Sequence, residues 1–243
     1  MFVLGYFIAI NLLDSCLRLM GWNNGFERMD LESLRITEIF YSLQGESLTS
    51  GLPTVFIRLT GCPLRCNYCD TEYAFTGGER MTIEEICQQV ASYECPQICV
   101  TGGEPLAQKP CIDLMARLCD LGYSVSIETS GALAIEDIDA RVVRVMDLKT
   151  PNSGEMIKNR MQNIQFLTAK DQVKFVICNE RDYQWSKMQV AEHKLDRLCT
   201  VLFSPSHHEQ DAADLAAWIL RDKLQVRMQV QLHKVLWGDK QGV

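Results

Sequence analysis

From Leu34 onward, short β-branched runs alternate with longer amphipathic runs, and this alternation restricts the possible folds more than any other feature of the chain. Strands separated by helix-length segments pair in parallel, each crossover laying its helix on the sheet. The runs predict strands over 54–59, 97–101, 124–128, 142–148, 172–177 and 198–203. Helix-like stretches begin near Thr82, Pro110, Glu136, Glu155, Asp182 and His207, and Glu85 follows Thr82 as in a capping box. Gly77-Gly78, Gly102-Gly103 and Ser153-Gly154 break the pattern where strands or functional loops should end. These units imply an α/β fold, an incomplete (β/α)6 TIM-like barrel, with its active site at the carboxyl ends of the strands.

A chain of 243 residues, 47% hydrophobic, can bury one substantial core, so a single domain is expected over 30–243. The apolar run that opens 1–29 has no basic n-region and no small-residue cleavage site. Asp14 and Arg18 interrupt it short of the roughly 20 apolar residues that span a bilayer. It reads as a leader outside the domain, a start-site extension with Met29 close to the true start. A net charge of -7 argues against a general nucleic-acid or membrane-surface binder. Eleven cysteines without a pairing pattern point to a reducing, cytoplasmic setting.

Cys62, Cys66 and Cys69 stand at Cys-x3-Cys-x2-Cys spacing just after the first predicted strand. A 4Fe-4S cluster takes four soft ligands, so three thiolates leave one iron open to the amino and carboxylate groups of S-adenosylmethionine. The alternatives are a structural zinc site, which needs a fourth ligand, and three unrelated buried cysteines. The remaining eight cysteines read as structural. In Thr101-Gly102-Gly103-Glu104-Pro105 two residues without Cβ let the backbone approach a ligand, although a plain turn has the same composition. Arg58, on an otherwise buried strand, carries a planar fork for a carboxylate or pairs with an acidic neighbour. Gln44 and Glu46, in a glycine-containing loop, offer an amide and a carboxylate to a heterocycle edge or to solvent.

The GCPLRCNYCD context resembles the radical S-adenosylmethionine superfamily, and TGGEP resembles that superfamily's GGEP element. The segments 41–46 (YSLQGE), 56–59 (FIRL), 69–71 (CDT), 147–151 (DLKTP) and the closing 231–234 (QLHK) narrow the resemblance to the 7-carboxy-7-deazaguanine synthase family, from Leu34 to the C-terminus. The resemblance implies a barrel of the radical SAM type and a lyase that converts 6-carboxy-5,6,7,8-tetrahydropterin to 7-carboxy-7-deazaguanine with loss of ammonia, toward queuosine. It implies a cluster on Cys62, Cys66 and Cys69. S-adenosylmethionine is expected against Tyr68, Cys69, Asp70, Gly103, Glu104, Asp147, Leu148 and Lys149. Substrate contacts are implied for Leu43, Gln44, Gly45, Glu46, Arg58, Thr101 and His233, and magnesium for Thr71. An electron donor such as flavodoxin or ferredoxin and a homodimer are expected on the same ground.

Two other readings share part of the pattern. A glycyl-radical-enzyme activase has the three-cysteine loop but acts on a protein backbone and needs no pterin pocket. A non-catalytic iron-sulfur protein needs no GGEP element. The discriminating observation is whether Arg58, Gln44 and Thr71 face one cavity with the three cysteines.

Overall fold

The computed structural model describes residues 33–243; the leader expected over 1–29 lies outside them. Among the described residues the strands are β1 (Ser33–Leu43), β2 (Pro53–Leu59), β3 (Glu79–Thr82), β4 (Gln97–Gly102), β5 (Ser124–Thr129), β6 (Val143–Asp147), β7 (Gln172–Ile177), β8 (Thr200–Pro205) and β9 (Arg227–Met228). They form one sheet in the order β3-β1-β2-β4-β5-β6-β7-β8-β9. From β2 to β9 all neighbours are parallel, whereas β1 runs antiparallel to both β2 and β3. The linear order leaves two edges, as an incomplete barrel requires.

The helices are α1 (Ile83–Ala91), α2 (Cys111–Asp120), α3 (Glu180–His193), α4 (Leu195–Leu198), α5 (Ala212–Asp222) and α6 (Leu232–Trp237). The Thr82 hydroxyl accepts from the Glu85 N–H while the Glu85 carboxylate accepts from the Thr82 N–H, so the expected capping box starts α1. Ile86 and Val90 of α1 and Leu114 and Leu118 of α2, spaced four residues apart, pack with Val55, Ile57, Ile98, Val100 and Ile127 from the sheet. The last predicted helix begins several residues later than His207, because Asp211 accepts from the N–H groups of Ala213 and Asp214 and caps α5 there.

Two predicted helices are absent. The stretch from Glu136 is turns and bends, and that from Glu155 is a series of 3-10 turns, Met156–Lys158 and Met161–Phe166. In the first stretch Arg144 Nη2 donates to the Ile138 carbonyl, and just before it Asn163 Nδ2 donates to the carbonyls of Gly131 and Leu133, so side chains satisfy backbone groups that helix bonds do not. Ile135, Ile138 and Val142 are nevertheless buried, so the hydrophobic spacing there serves an irregular crossover. No helix among the described residues is long and apolar enough to cross a membrane.

Strand alternation sorts side chains onto two faces. Ile57, Leu59, Met146, Val173, Phe175 and Ile177 enter the hydrophobic cluster shared with the helices. Their neighbours Phe56, Arg58, Val145, Asp147, Lys174 and Val176 face the other way and line a cavity of about 470 Å³.

Candidate active site

The loop after β2 carries Cys62, Cys66 and Cys69, all free thiols lining the cavity. The rest of the chain holds this loop firmly. Asn67 N–H donates to the Ser153 carbonyl at 3.0 Å and Asn67 Nδ2 to that of Asn152 at 2.9 Å. Arg65 N–H donates to Glu155 Oε1 at 2.6 Å, and the Arg65 guanidinium caps the Cys62 and Leu64 carbonyls while lying over the Phe75 ring. Three soft donors on one loop, with no fourth cysteine among the described residues lining the cavity, fit a polynuclear cluster that keeps one iron open. Burial raises the Cys62 thiol and pushes that of Cys66 up to about 11, against the pull of nearby Lys149, so both thiols need a metal to become thiolates at neutral pH.

Gly102 ends β4 and Gly103 follows it, directly behind the cysteine loop. A Cβ on Gly103 would strike the Gly61 carbonyl and Cys62 Cβ, and Gly102 adopts a φ of 149° against the Leu59 backbone. The glycines therefore let two loops touch. The Glu104 side chain is fully buried and turned from the cavity. Its carboxylate accepts from the Thr129 hydroxyl, the Ser130 N–H and hydroxyl, and the Leu106 N–H. It holds Thr129 and Ser130 in the cavity wall. Leu148 is likewise away from the cavity, packed in the helix-side core by the alternation that points Asp147 and Lys149 inward.

An ionic chain crosses the floor of the cavity. Lys149 Nζ lies 3.0 Å from Asp147 Oδ2, Lys174 Nζ lies 3.7 Å from the same oxygen, and Lys174 Nζ lies 2.7 Å from Glu46 Oε2. Gln231 Nε2 donates to Glu46 Oε1 at 2.9 Å. Burial alone would raise the Glu46 carboxyl, but the Lys174 ammonium overrides it and holds the group down to about 2. The lysines stay protonated for the same reason. Glu128, half-buried in this wall, is raised by burial and by Glu46, against the pull of Lys174 and Arg58. Gln44 Nε2 donates to Glu128 Oε1 at 3.4 Å. Tyr68 Oη and Asp147 Oδ1 are buried without a hydrogen-bond partner, an uncommon condition that a polar cofactor would relieve.

The C-terminal segment closes one side. Leu232 N–H donates to the Gly45 carbonyl, and a Cβ on Gly45 would collide with the His233 ring, so α6 rests on the 43–47 loop. His233 is lowered below the ordinary histidine value by burial. Leu43, Gln44, Gly45, Glu46, Arg58, Tyr68, Asp70, Thr71, Thr101, Gly103 and His233 all line the same cavity as the cysteines. Arg58 also has the acidic partner that sequence left open: its Nε donates to Glu38 Oε1 at 2.7 Å.

Lys174 lines the site but is not singled out by the sequence, whereas Glu128 stands in the distinctive segment 128–131 at a strand's carboxyl end. Lys174 had a signal, a lone lysine inside the otherwise apolar strand QVKFVI, of the kind that drew attention to Arg58. Gln229 has none, since its partner Glu46 is far away in the chain, whereas Gln231 opens the closing segment 231–234.

The fold and the cysteine-lined cavity define a radical SAM protein: residues 56–146 match the Radical SAM superfamily model. The chain is 43% identical over 214 residues to the 7-carboxy-7-deazaguanine synthase of Chlorobaculum tepidum, covering 86% of this chain and 97% of that one. It is 41% identical over 219 residues to the enzyme of that name from Koribacter versatilis, covering 84% and 97%. The chain belongs to the 7-carboxy-7-deazaguanine synthase family. The crystal structure of QueE from Escherichia coli superposes with a TM-score of 0.71 at 21% identity, over 87% of this chain and 100% of that one, which shows the shared fold.

Proposed function

We propose that this chain, as one domain over 30–243, is a carbon–nitrogen lyase that converts 6-carboxy-5,6,7,8-tetrahydropterin to 7-carboxy-7-deazaguanine and ammonia. The observation that carries the reading is that Arg58, Gln44 and Thr71 line one cavity with Cys62, Cys66 and Cys69. An activase for a protein backbone would have no use for that convergence. The three cysteines would hold a 4Fe-4S cluster. Tyr68, Cys69, Asp70, Gly103, Asp147 and Lys149 would bind S-adenosylmethionine, with Glu104 and Leu148 supporting from behind. Bound together, cluster and S-adenosylmethionine supply the radical hydrogen abstraction that starts the ring rearrangement.

The chain's own groups do the rest. Arg58 receives the substrate carboxylate, and Gln44 and Glu46 address the pterin edge. Lys174 keeps Glu46 ionised, so that edge meets a fixed acceptor. Thr101 borders the substrate, and Leu43, Gly45 and His233 close over it and keep out water. Thr71 offers a hard oxygen for magnesium at the substrate carboxylate. A low-potential donor such as flavodoxin or ferredoxin feeds the site, and the enzyme works as a homodimer. The test is anaerobic incubation of the reconstituted protein with the pterin, S-adenosylmethionine, magnesium and reductant. Formation of 7-carboxy-7-deazaguanine is expected, and its absence from a cluster-loaded preparation rejects the assignment.

A further inference from the structure

Arg58 sits on β2 directly opposite Glu38 on β1, in a pairing register that shifts between Ile36 and Glu38. Such a bulge re-aims the side chains beside it. Glu38 Oε1 accepts from Arg58 Nε at 2.7 Å and from the Tyr73 hydroxyl at 2.8 Å. The Phe40 and Tyr73 rings flank the guanidinium, with their centroids 5.7 and 5.8 Å from its central carbon. Arg58 and Glu38 side chains are only 15% and 23% exposed, so this is a half-enclosed pair with a fixed geometry.

A guanidinium has two edges that grip a carboxylate, one through Nε and one through the two terminal nitrogens. Glu38 occupies Nε. Among the described residues, Glu38 is the carboxylate in ion-pair contact with Arg58; Glu128 acts on it only from farther away. Tyr73 lies four residues after Cys69, so this clamp also ties the arginine to the loop that carries Cys69.

We propose that Glu38, braced by Tyr73, is a positioning residue that locks the Arg58 fork by its Nε edge and so presents the terminal nitrogens to the carboxylate of the substrate. This rests on the pterin reading given above. Two physical effects oppose each other. As a negative charge beside Arg58, Glu38 weakens the arginine's attraction for a second carboxylate. As a clamp, it removes the entropy that a free arginine would lose on binding. The proposal is that the clamp prevails.

The experiment is equilibrium dialysis of the reconstituted holoenzyme with pterin-6-carboxylate and with unsubstituted pterin as probes. Wild type is expected to prefer the carboxylate. Glu38→Ala should weaken pterin-6-carboxylate on the order of tenfold and leave unsubstituted pterin within about twofold, the loss expected of one charge-assisted contact. Glu38→Gln, whose amide oxygen still accepts from Nε and Tyr73, should retain most of the preference. Tyr73→Phe should move it about two- to threefold in the direction of Glu38→Ala, a smaller effect because Tyr73 acts on Arg58 only through Glu38, and serves if the alanine variant does not fold. In turnover the Glu38→Ala loss should fall on KM, with kcat within about twofold. Equal loss for both probes, no loss, or tighter carboxylate binding by Glu38→Ala overturns the proposal while the pterin reading stands. A wild type that binds neither probe overturns that reading and the proposal with it.

Discussion

Lys174 is the group on which the buried charges of the cavity depend, and Lys174→Met is the substitution that exposes this. The change preserves length and apolar volume but deletes the ammonium 2.7 Å from Glu46 and 3.7 Å from Asp147. Breaking a buried pair from one side strands the other charge, at a cost of about 3–5 kcal/mol. Little solvent screening reduces this, since both side chains are near 10% exposed. For a domain of this size the loss corresponds to a fall in Tm of about 6–20 °C. The pH dependence carries a definite sign. The Glu46 carboxyl is held from its ordinary value of 4.5 down to about 2 in the folded protein, so its stabilisation is fully present above 4.5 and is lost as pH falls toward 2. The Tm gap between wild type and Lys174→Met should therefore be widest near neutrality and narrow on acidification through that window. Lys174→Met combined with Glu46→Gln, which removes the stranded charge, should recover much of the loss. Calorimetric melts of the three proteins, all prepared with the same cluster content, decide the matter. A single-variant cost under about 1 kcal/mol, or a gap that ignores pH, would show that water or rearrangement already solvates Glu46 and that the ionic chain is not a buried network.

Three other expectations follow from the site. Cys66→Ser should lower bound iron and cluster absorbance after reconstitution while shifting apo-protein stability by less than about 1 kcal/mol, because the thiol is only partly buried; unchanged iron content would remove Cys66 from the ligand set. Gly103→Ala drives a methyl into the Gly61 carbonyl and Cys62 Cβ and should cost about 1–3 kcal/mol together with poorer cluster loading, and a melt equal to wild type would mean the loops part freely. Burial holds His233 below the ordinary 6.5, so folded protein resists its protonation and loses stability as pH falls through 6.5. Melts of wild type and His233→Asn should differ below that pH and converge above it; parallel curves would show that His233 stays exposed.

Much of the architecture was legible because it is local. A strand buried on both faces reads as an apolar run, and the predicted 172–177 coincides with β7. A capping box is complete within four residues, and Thr82 and Glu85 form it as expected. The crossovers at 130–142 and 155–166 have helix-like hydrophobic spacing but fold as turns and 3-10 segments; in the first, Asn163 and Arg144 take the carbonyls of Gly131, Leu133 and Ile138. The antiparallel β1 went unnoticed as a strand, although 41–46 and Leu34 drew attention at its ends. Arg58 illustrates the division within the site: its fork and its burial can be read from sequence, but the contact of its Nε with Glu38 cannot, because it depends on the register of β1 against β2.

The sequence by itself determined the βα order and the three-thiolate loop, since strand period, helix caps and ligand spacing are all written within a few consecutive residues. Tertiary structure alone decided which charges meet. Lys174 reaches Glu46 across 128 residues and Arg58 reaches Glu38 across 20. Those contacts follow from sheet order and strand register, which arise from packing the whole chain at once. A one-residue slip in register would turn each of these side chains to the opposite face.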